Sequence, residues 1–507
     1  MSQTVSSAVA TVAALAPEAI DVSVCDEAIQ TINFDHEAEI VGITANISQT
    51  LRAIEVAKEF RARGKTIIMG GPQVTLAPNL FAEYADTLVF GEFEPVAAHF
   101  FSDMQAGQLK PRYRGSPADL TRSPKPRWDL FNHDQVLSGS IQTSRGCPFN
   151  CNFCDVIQIY GQKQRHKETH QIISEIQALY DYGHNHIFIS DDNFTAQKKK
   201  AHDILSAIIE WNGQDDREFV VFSSQVSIDL AKNDALVSLC HQAGMLEIFI
   251  GLETQDQVSL RESSKQQNMH IDLTAQCHKL VRAGLKIVPG LIVGFDNDDK
   301  SVFQKQFEFA MSLPVGPIKV SMLAAPISTP LFTKMRDQNR LIANHMEMQA
   351  LSGTLFTNII PAQMSRADLY IGYIWLISKL FHPENFLTRL DALSTMLIPP
   401  PWIGQEERCS KRVRPRSVVL ASSILRNVMR DNPMVAKIIR HTSWLAKKNP
   451  EIKSGLYDVL KYYLMILHNH KANSTYNQKW AEMPSPPFGI KEGDFRLQQI
   501  RQADGTP

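Results

Sequence analysis

Nowhere in this 507-residue chain do eighteen apolar residues run together, so a membrane-spanning helix is not expected. Early positive charge is missing too. No Lys or Arg precedes Arg52, so the mostly apolar run 6–16 lacks the basic flank of a secretion signal and reads as a helix instead. Neither sign of charge is in excess: 52 Lys and Arg meet 53 Asp and Glu, a formal net charge of -1, and no nucleic-acid partner is expected. Cysteine is sparse, at seven residues, and Cys25, Cys240, Cys277 and Cys409 are scattered. Such spacing is no disulfide framework, and a reducing cytoplasm is the compartment it suits.

The other three cysteines stand together, in Cys147-Pro-Phe-Asn-Cys151-Asn-Phe-Cys154. Spacings of four and three, directly after the extended run 140–146, let one loop supply three thiolates to a single inorganic cluster. A [4Fe–4S] cluster takes four ligands, so three leave one iron open for a small molecule, whereas a fourth cysteine would make an electron carrier. A zinc knuckle or plain buried thiols is the alternative, although zinc loops usually pair their cysteines two by two with a second pair or histidines nearby.

With the aromatic Phe153 ahead of the last cysteine, this motif resembles the cluster loop of radical S-adenosylmethionine (SAM) enzymes. The continuation Asp155-Val-Ile-Gln-Ile-Tyr-Gly-Gln-Lys-Gln-Arg-His-Lys167 resembles a narrower branch, the cobalamin-binding radical SAM proteins that include hopanoid and bacteriochlorophyll methylases, over roughly residues 8–470. The resemblance implies that Cys147, Cys151 and Cys154 hold a [4Fe–4S] cluster, that SAM chelates its open iron beside Phe153, and that SAM is split to a 5'-deoxyadenosyl radical. A one-electron reductant such as flavodoxin or ferredoxin is the implied partner.

Short β-branched runs at 21–26, 40–44, 66–70 and 87–91 alternate with helical patterns such as 49–63, which predicts a parallel sheet over residues 1–109. Gly70, Gly71 and Gly91 fall just past strand ends, where open α/β sheets bind ligands. By resemblance this is a Rossmann-like, cobalamin-type domain in which Thr44, Gly70, Gly71, Gln73 and Gly91 line the cofactor. The Asp-x-His-x-x-Gly pattern that supplies a lower axial histidine in other cobalamin proteins is absent, as is common in this branch. Family members also carry a strand and loop ahead of the stretch matching 11–17, in the middle of the sheet, so either the start codon is misplaced or the domain is expected to be truncated, with two exposed sheet edges and weak cobalamin binding. A vestigial structural domain is the competing reading. A polar, proline-bearing linker is expected over 110–134.

From 135 to 325, helix-like and strand-like segments alternate again, with helices at 168–182 and 201–211 and strands at 186–190, 219–223, 247–251, 286–294 and 319–323. Repeated units of this length imply a full or partial parallel (β/α) barrel, with ligands at the carboxyl ends of the strands. Asp191, Asp192 and Asn193 follow one strand and could accept from the SAM ammonium or ribose, or could cap a helix. Gln225 and Ser227, and Glu253, sit similarly; Gly290 and Gly294 read as room for adenine or as packing relief. Tyr160 is a candidate catalytic phenol, with aromatic packing as the plainer role, and Arg165 and Lys167 read as solvated.

Residues 326–405 resemble the branch's barrel-closing, substrate-shaping region, and 406–507 a helical basic tail. Between 408 and 448 eleven Lys and Arg face one acid, Asp431, which fits either an amphipathic helix lying on anionic lipid or a solvated face over a helical core. The whole reads as an α/β enzyme: a truncated cobalamin-type domain, a radical SAM barrel and a helical C-terminal region. Its expected activity is C-methylation of an unactivated carbon in a hydrophobic lipid, tetrapyrrole or secondary metabolite, with peripheral membrane contact. Radical cyclisation without methyl transfer, or a non-catalytic redox or scaffold protein, are the alternatives.

Overall fold

Alternation at two-residue spacing builds the first sheet in this computed structural model, which describes residues 4–214, 217–342, 357–402, 434–473 and 475–489. Strands β1 (Ile40–Thr44), β2 (Thr66–Gly70), β3 (Thr87–Phe90) and β4 (Arg112–Arg114) lie side by side in that order, all parallel. Ile67, Met69 and Leu88 pack on Ala53, Val56, Ala57 and Phe60, which recur at helical spacing along Thr50–Ala62. Ile68 and Val89 face the opposite layer, with Phe100 and Phe101 of helix Ala97–Gln105. The sheet is thus covered on both faces, as parallel strands require.

Two sequence expectations change here. Residues 21–26 form no strand: none of the six is buried, and among the described residues β1 pairs with β2 alone. Residues 110–134, expected as a linker, supply β4 and bury Tyr113, Leu120 and Trp128. The helix expected near the start is present as Ser7–Ala14, capped by the Ser6 hydroxyl.

This sheet belongs to a unit made of Met1–His184, Ser190–Asp192 and Ala324–Asn358. The same unit holds β5 (Gly139–Ile141) and a two-residue antiparallel ladder of β6 (Ser144–Arg145) with β7 (Arg165–His166), the neck from which the cysteine loop hangs.

A second unit comprises Asn185–Ile189, Asn193–Leu323 and Ile359–Pro507. Its strands β8 (His186–Ile189), β9 (Val221–Val226), β10 (Met245–Glu253), β11 (Lys286–Val293) and β12 (Lys319–Met322) are all parallel and adjacent in chain order. Helices Lys198–Asn212, Asp234–Gln242, Leu273–Arg282 and Val302–Ser312 connect them. Behind them Arg366–Leu380 is buried almost all round, which is why its sequence is apolar on every side, and Gly372 lets the Phe303 ring lie directly on its backbone. Among the described residues, helices Pro383–Ser394, Met434–Lys448, Lys453–Ala472 and Gln478–Glu482 form the helical C-terminal region. The basic run from 408 to 433 lies outside the described residues; in Met434–Lys448, Lys437, Arg440, Trp444, Lys447 and Lys448 are exposed. No helix among the described residues is long and apolar enough to cross a membrane.

Candidate active site

The cysteine loop begins with a residue that must be glycine. Gly146 has a φ of +97°, and a Cβ there would come within 2.9 Å of the carbonyl oxygens of Gly161 and Lys163. That close crossing lets the Cys147 N–H donate to the Gly161 carbonyl at 3.3 Å and shuts the loop. Inside it, the Cys154 N–H donates to the Cys151 carbonyl at 3.2 Å, and a helical turn, Val156–Tyr160, follows. Burial pushes the Cys154 thiol up to about 12, and the charges of Asp155, Cys151 and Cys147 add to the shift. Ionising three thiols gathered in one loop needs positive charge between them, which a metal cluster supplies. Among the described residues no three ligating side chains meet on one ion, and a cubane does not ask it, since each thiolate takes its own iron. The donor set fits a [4Fe–4S] cluster.

Asp191 is tied to the two residues that lead into the neck of this loop. Its carboxylate accepts from the N–H and hydroxyl of Thr143, at 2.7 and 2.5 Å, and from those of Ser144, at 3.1 and 2.6 Å. It is fully buried, and burial raises its pKa against those four donors. Asp192 accepts from the Gly146 N–H at 3.1 Å, and burial pushes it up to about 6. Phe153 is half-buried between two of the cysteines. The Tyr160 phenol is raised by burial, and the Arg145 guanidinium lies 5.9 Å from its ring centre.

In the second unit, Asn193, Gln225 and Ser227 come together where β9 ends. The Asn193 amide donates to the Ser227 hydroxyl at 3.0 Å, Ser227 in turn donates to Asp229, and the Gln225 carbonyl accepts from the Phe194 N–H at 2.9 Å. Glu253 follows a bulge at the end of β10 with a φ of +62°, and its carboxylate meets the Lys265 ammonium at 2.7 Å. Gly290 accommodates the Phe249 ring, which a Cβ would strike at 2.7 Å.

A model of the radical SAM superfamily matches residues 141–310, and a domain of unknown function (DUF4070) matches 329–475. An uncharacterized methyltransferase of Synechocystis, sll1242, is 31% identical over 387 residues, 75% of this chain and 71% of that one. The hopanoid C-2 methylase of Rhodopseudomonas palustris is 24% identical over 427 residues, 82% of this chain and 78% of that one. The chain belongs to the radical SAM superfamily, in its cobalamin-binding branch. A solved structure of the cobalamin-dependent SAM radical enzyme OxsB, with aqua-cobalamin and SAM bound, shares this radical SAM enzyme's fold with a TM-score of 0.54 at 14% identity, covering 93% of this chain and 76% of that one.

In this radical SAM enzyme the residues expected to face cobalamin stand along the carboxyl edge of β1 to β4. Thr44 ends β1 exposed, Gly70 ends β2 with Gly71 just past it, and Gly91 follows β3. Gly71 has φ +94°, and a Cβ there would sit 2.2 Å from the Thr44 hydroxyl; the Gly91 N–H donates to the Thr75 hydroxyl at 3.0 Å. Gln73 is buried, its N–H on the Ala45 carbonyl at 3.1 Å. Bare backbone at successive strand ends suits the approach of a large planar cofactor.

Several residues escaped the sequence reading. Arg165 and Lys167 are not solvated: Arg165 pairs with Glu92 at 2.5 Å, and Lys167, 5% exposed, pairs with buried Glu175. Thr143 and Ser144, the donors to Asp191, were signalled only by adjacent hydroxyls ahead of the motif. Asp298 was signalled only by an acid four residues past Gly294; its carboxylate takes the N–H groups of Gly294 and Phe295 at 2.8 and 3.0 Å.

Proposed function

We propose that this enzyme is a cobalamin-dependent radical SAM C-methyltransferase acting on an unactivated carbon of a hydrophobic small molecule, a lipid, tetrapyrrole or secondary metabolite. The observation that carries it is the loop of Cys147, Cys151 and Cys154, closed at Gly146 and latched at Thr143 and Ser144 by Asp191. When bound, the cluster with SAM supplies a carbon radical that removes hydrogen from a C–H bond, and methylcobalamin supplies the methyl group. The three thiols would hold the cluster, while Gly146 and Asp191 fix the loop that carries them. Thr44, Gly70, Gly71, Gln73 and Gly91 would present backbone and small side chains to cobalamin. Asn193, Gln225, Ser227 and Glu253, at strand ends of the second unit, would orient SAM through polar contacts. The methylase relatives support the reaction class, and their named substrates support a hydrophobic one. A flavodoxin or ferredoxin would deliver the electron.

The test is anaerobic purification and cluster reconstitution, scoring iron, sulfide and cobalamin, followed by turnover with methyl-labelled SAM. Four irons, retained cobalamin and label in a product are expected; changing Cys147, Cys151 and Cys154 to alanine should abolish the iron and the label and leave the cobalamin in place. SAM cleavage without label transfer would sink the methyl-transfer reading and point to cyclisation.

A further inference from the structure

At the neck of the cysteine loop, the β6 and β7 register sets Arg145 directly opposite Arg165. Like charges facing one another across an antiparallel pair repel, and partial burial strengthens the repulsion. The conflict is resolved from elsewhere in the same unit. Glu92, just past β3 and 6% exposed, meets the Arg145 guanidinium at 2.7 Å and the Arg165 guanidinium at 2.5 Å. Glu94 takes the other arm of Arg145 at 2.6 Å, so two carboxylates balance two guanidiniums. These pairs outweigh burial and hold the Glu92 carboxyl below its usual range.

The backbone aims that carboxylate. Gly91, with φ +79°, and Gly115 cross so closely that a Cβ on Gly115 would lie 1.6 Å from the Glu92 carbonyl oxygen. The Ala118 N–H donates to the Glu92 side chain at 3.2 Å, and Arg165 donates to the Ala118 carbonyl at 2.8 Å. Arg145 stands two residues before Cys147, and Arg165 closes the far side of the same loop. Whatever holds these two arginines therefore sets where the first thiolate begins.

We propose that Glu92 is a positioning residue for the cluster loop, clamping both strands of its neck to the carboxyl edge of the four-stranded sheet in a charge-balanced network, so that the cluster's potential depends on a residue of that sheet. The inference rests on the cluster reading above. It goes further by tying the cluster loop to the edge on which cobalamin is proposed to sit.

The test compares E92Q, R165Q and E92Q/R165Q with the wild type after reconstitution, measuring iron content and the cluster's reduction potential. Added positive charge near a cluster favours its reduced form. E92Q leaves one guanidinium unbalanced and is expected to shift the potential upward; R165Q leaves one carboxylate unbalanced and is expected to shift it downward; the double variant is expected to return toward wild type. In the apo chain, hydrogen exchange across residues 144–147 and 165–167 should rise in E92Q. Shifts of the same sign in both single variants, or no shift in either, would overturn the proposal while leaving the cluster reading intact. Should E92Q fail to fold, R165Q and the balanced double variant decide by the same sign rule. A wild-type chain that takes up no iron would overturn both.

Discussion

Asp191 takes hydrogen bonds from both the backbone N–H and the hydroxyl of Thr143, at 2.7 and 2.5 Å. With the matching pair from Ser144, four donors converge on one fully buried carboxylate at the foot of the cysteine loop. Such an arrangement satisfies the carboxylate completely, so its first duty is to hold residues 143–144 in register.

The consequence can be measured with Asp191→Asn. An amide keeps one acceptor but turns an NH₂ toward groups that also donate. Hydrogen bonds to a charged group contribute about 1.5–3 kcal/mol, and a loss in that range is expected in urea unfolding, with reduced iron uptake. Asp192→Asn, which disturbs the single 3.1 Å bond from Gly146, should cost clearly less. Equal losses in the two variants would show that the four-donor latch is not what holds the loop.

Gly71→Ala tests the edge proposed for cobalamin. The backbone there, φ 94° and ψ -171°, is a region only glycine enters freely, and the new Cβ would meet the Thr44 hydroxyl at 2.2 Å. Strain and overpacking each cost about 1–3 kcal/mol. Thr44→Ala in the same chain should relieve the collision and leave the strain. Thermal unfolding of the single and double variants separates the two parts, and full recovery in the double variant would contradict the backbone contribution.

The alternation of strand and helix was legible because parallel strands buried on both faces read as continuous apolar runs, as in Lys286–Val293. The three cysteines were legible because ligand spacing is local in sequence. Arg165 was misread as solvated because its partner, Glu92, lies 73 residues away, and nothing local marks a long-range ion pair. Residues 21–26 look like a strand because valine is β-branched, yet without a paired neighbour among the described residues the segment has no ladder to join. Helix Arg366–Leu380 had no amphipathic stripe to find, because it is buried nearly all round.

Glu253 and Lys265 form a pair with side chains only 8% and 12% exposed. Removing one partner of such a pair leaves a buried charge uncompensated, whereas removing both leaves none. Lys265→Met alone should destabilise by about 3–5 kcal/mol, and Glu253→Gln with Lys265→Met by less than Lys265→Met alone. A double-mutant cycle in urea reads the difference. Additive losses would show that the two groups do not depend on one another in the fold.

Asp298 carries the clearest pH dependence. Burial pushes it up to about 7, against the N–H groups of Gly294 and Phe295 and with help from the charges of Asp256 and Asp299. Because the folded pKa lies above the ordinary 3.8, folding favours the protonated acid. The stability it contributes is therefore complete below about pH 4 and is lost as pH rises through about 7, with an upper bound of about 4 kcal/mol. Asp298→Asn keeps an oxygen for the two N–H groups and removes the titration. Relative to wild type the variant should gain stability between pH 5 and about pH 7 and level off above it, in urea unfolding at fixed salt. A difference that stays constant across that range would mean the carboxyl is already ionised at pH 5, and that the two N–H donors outweigh its burial.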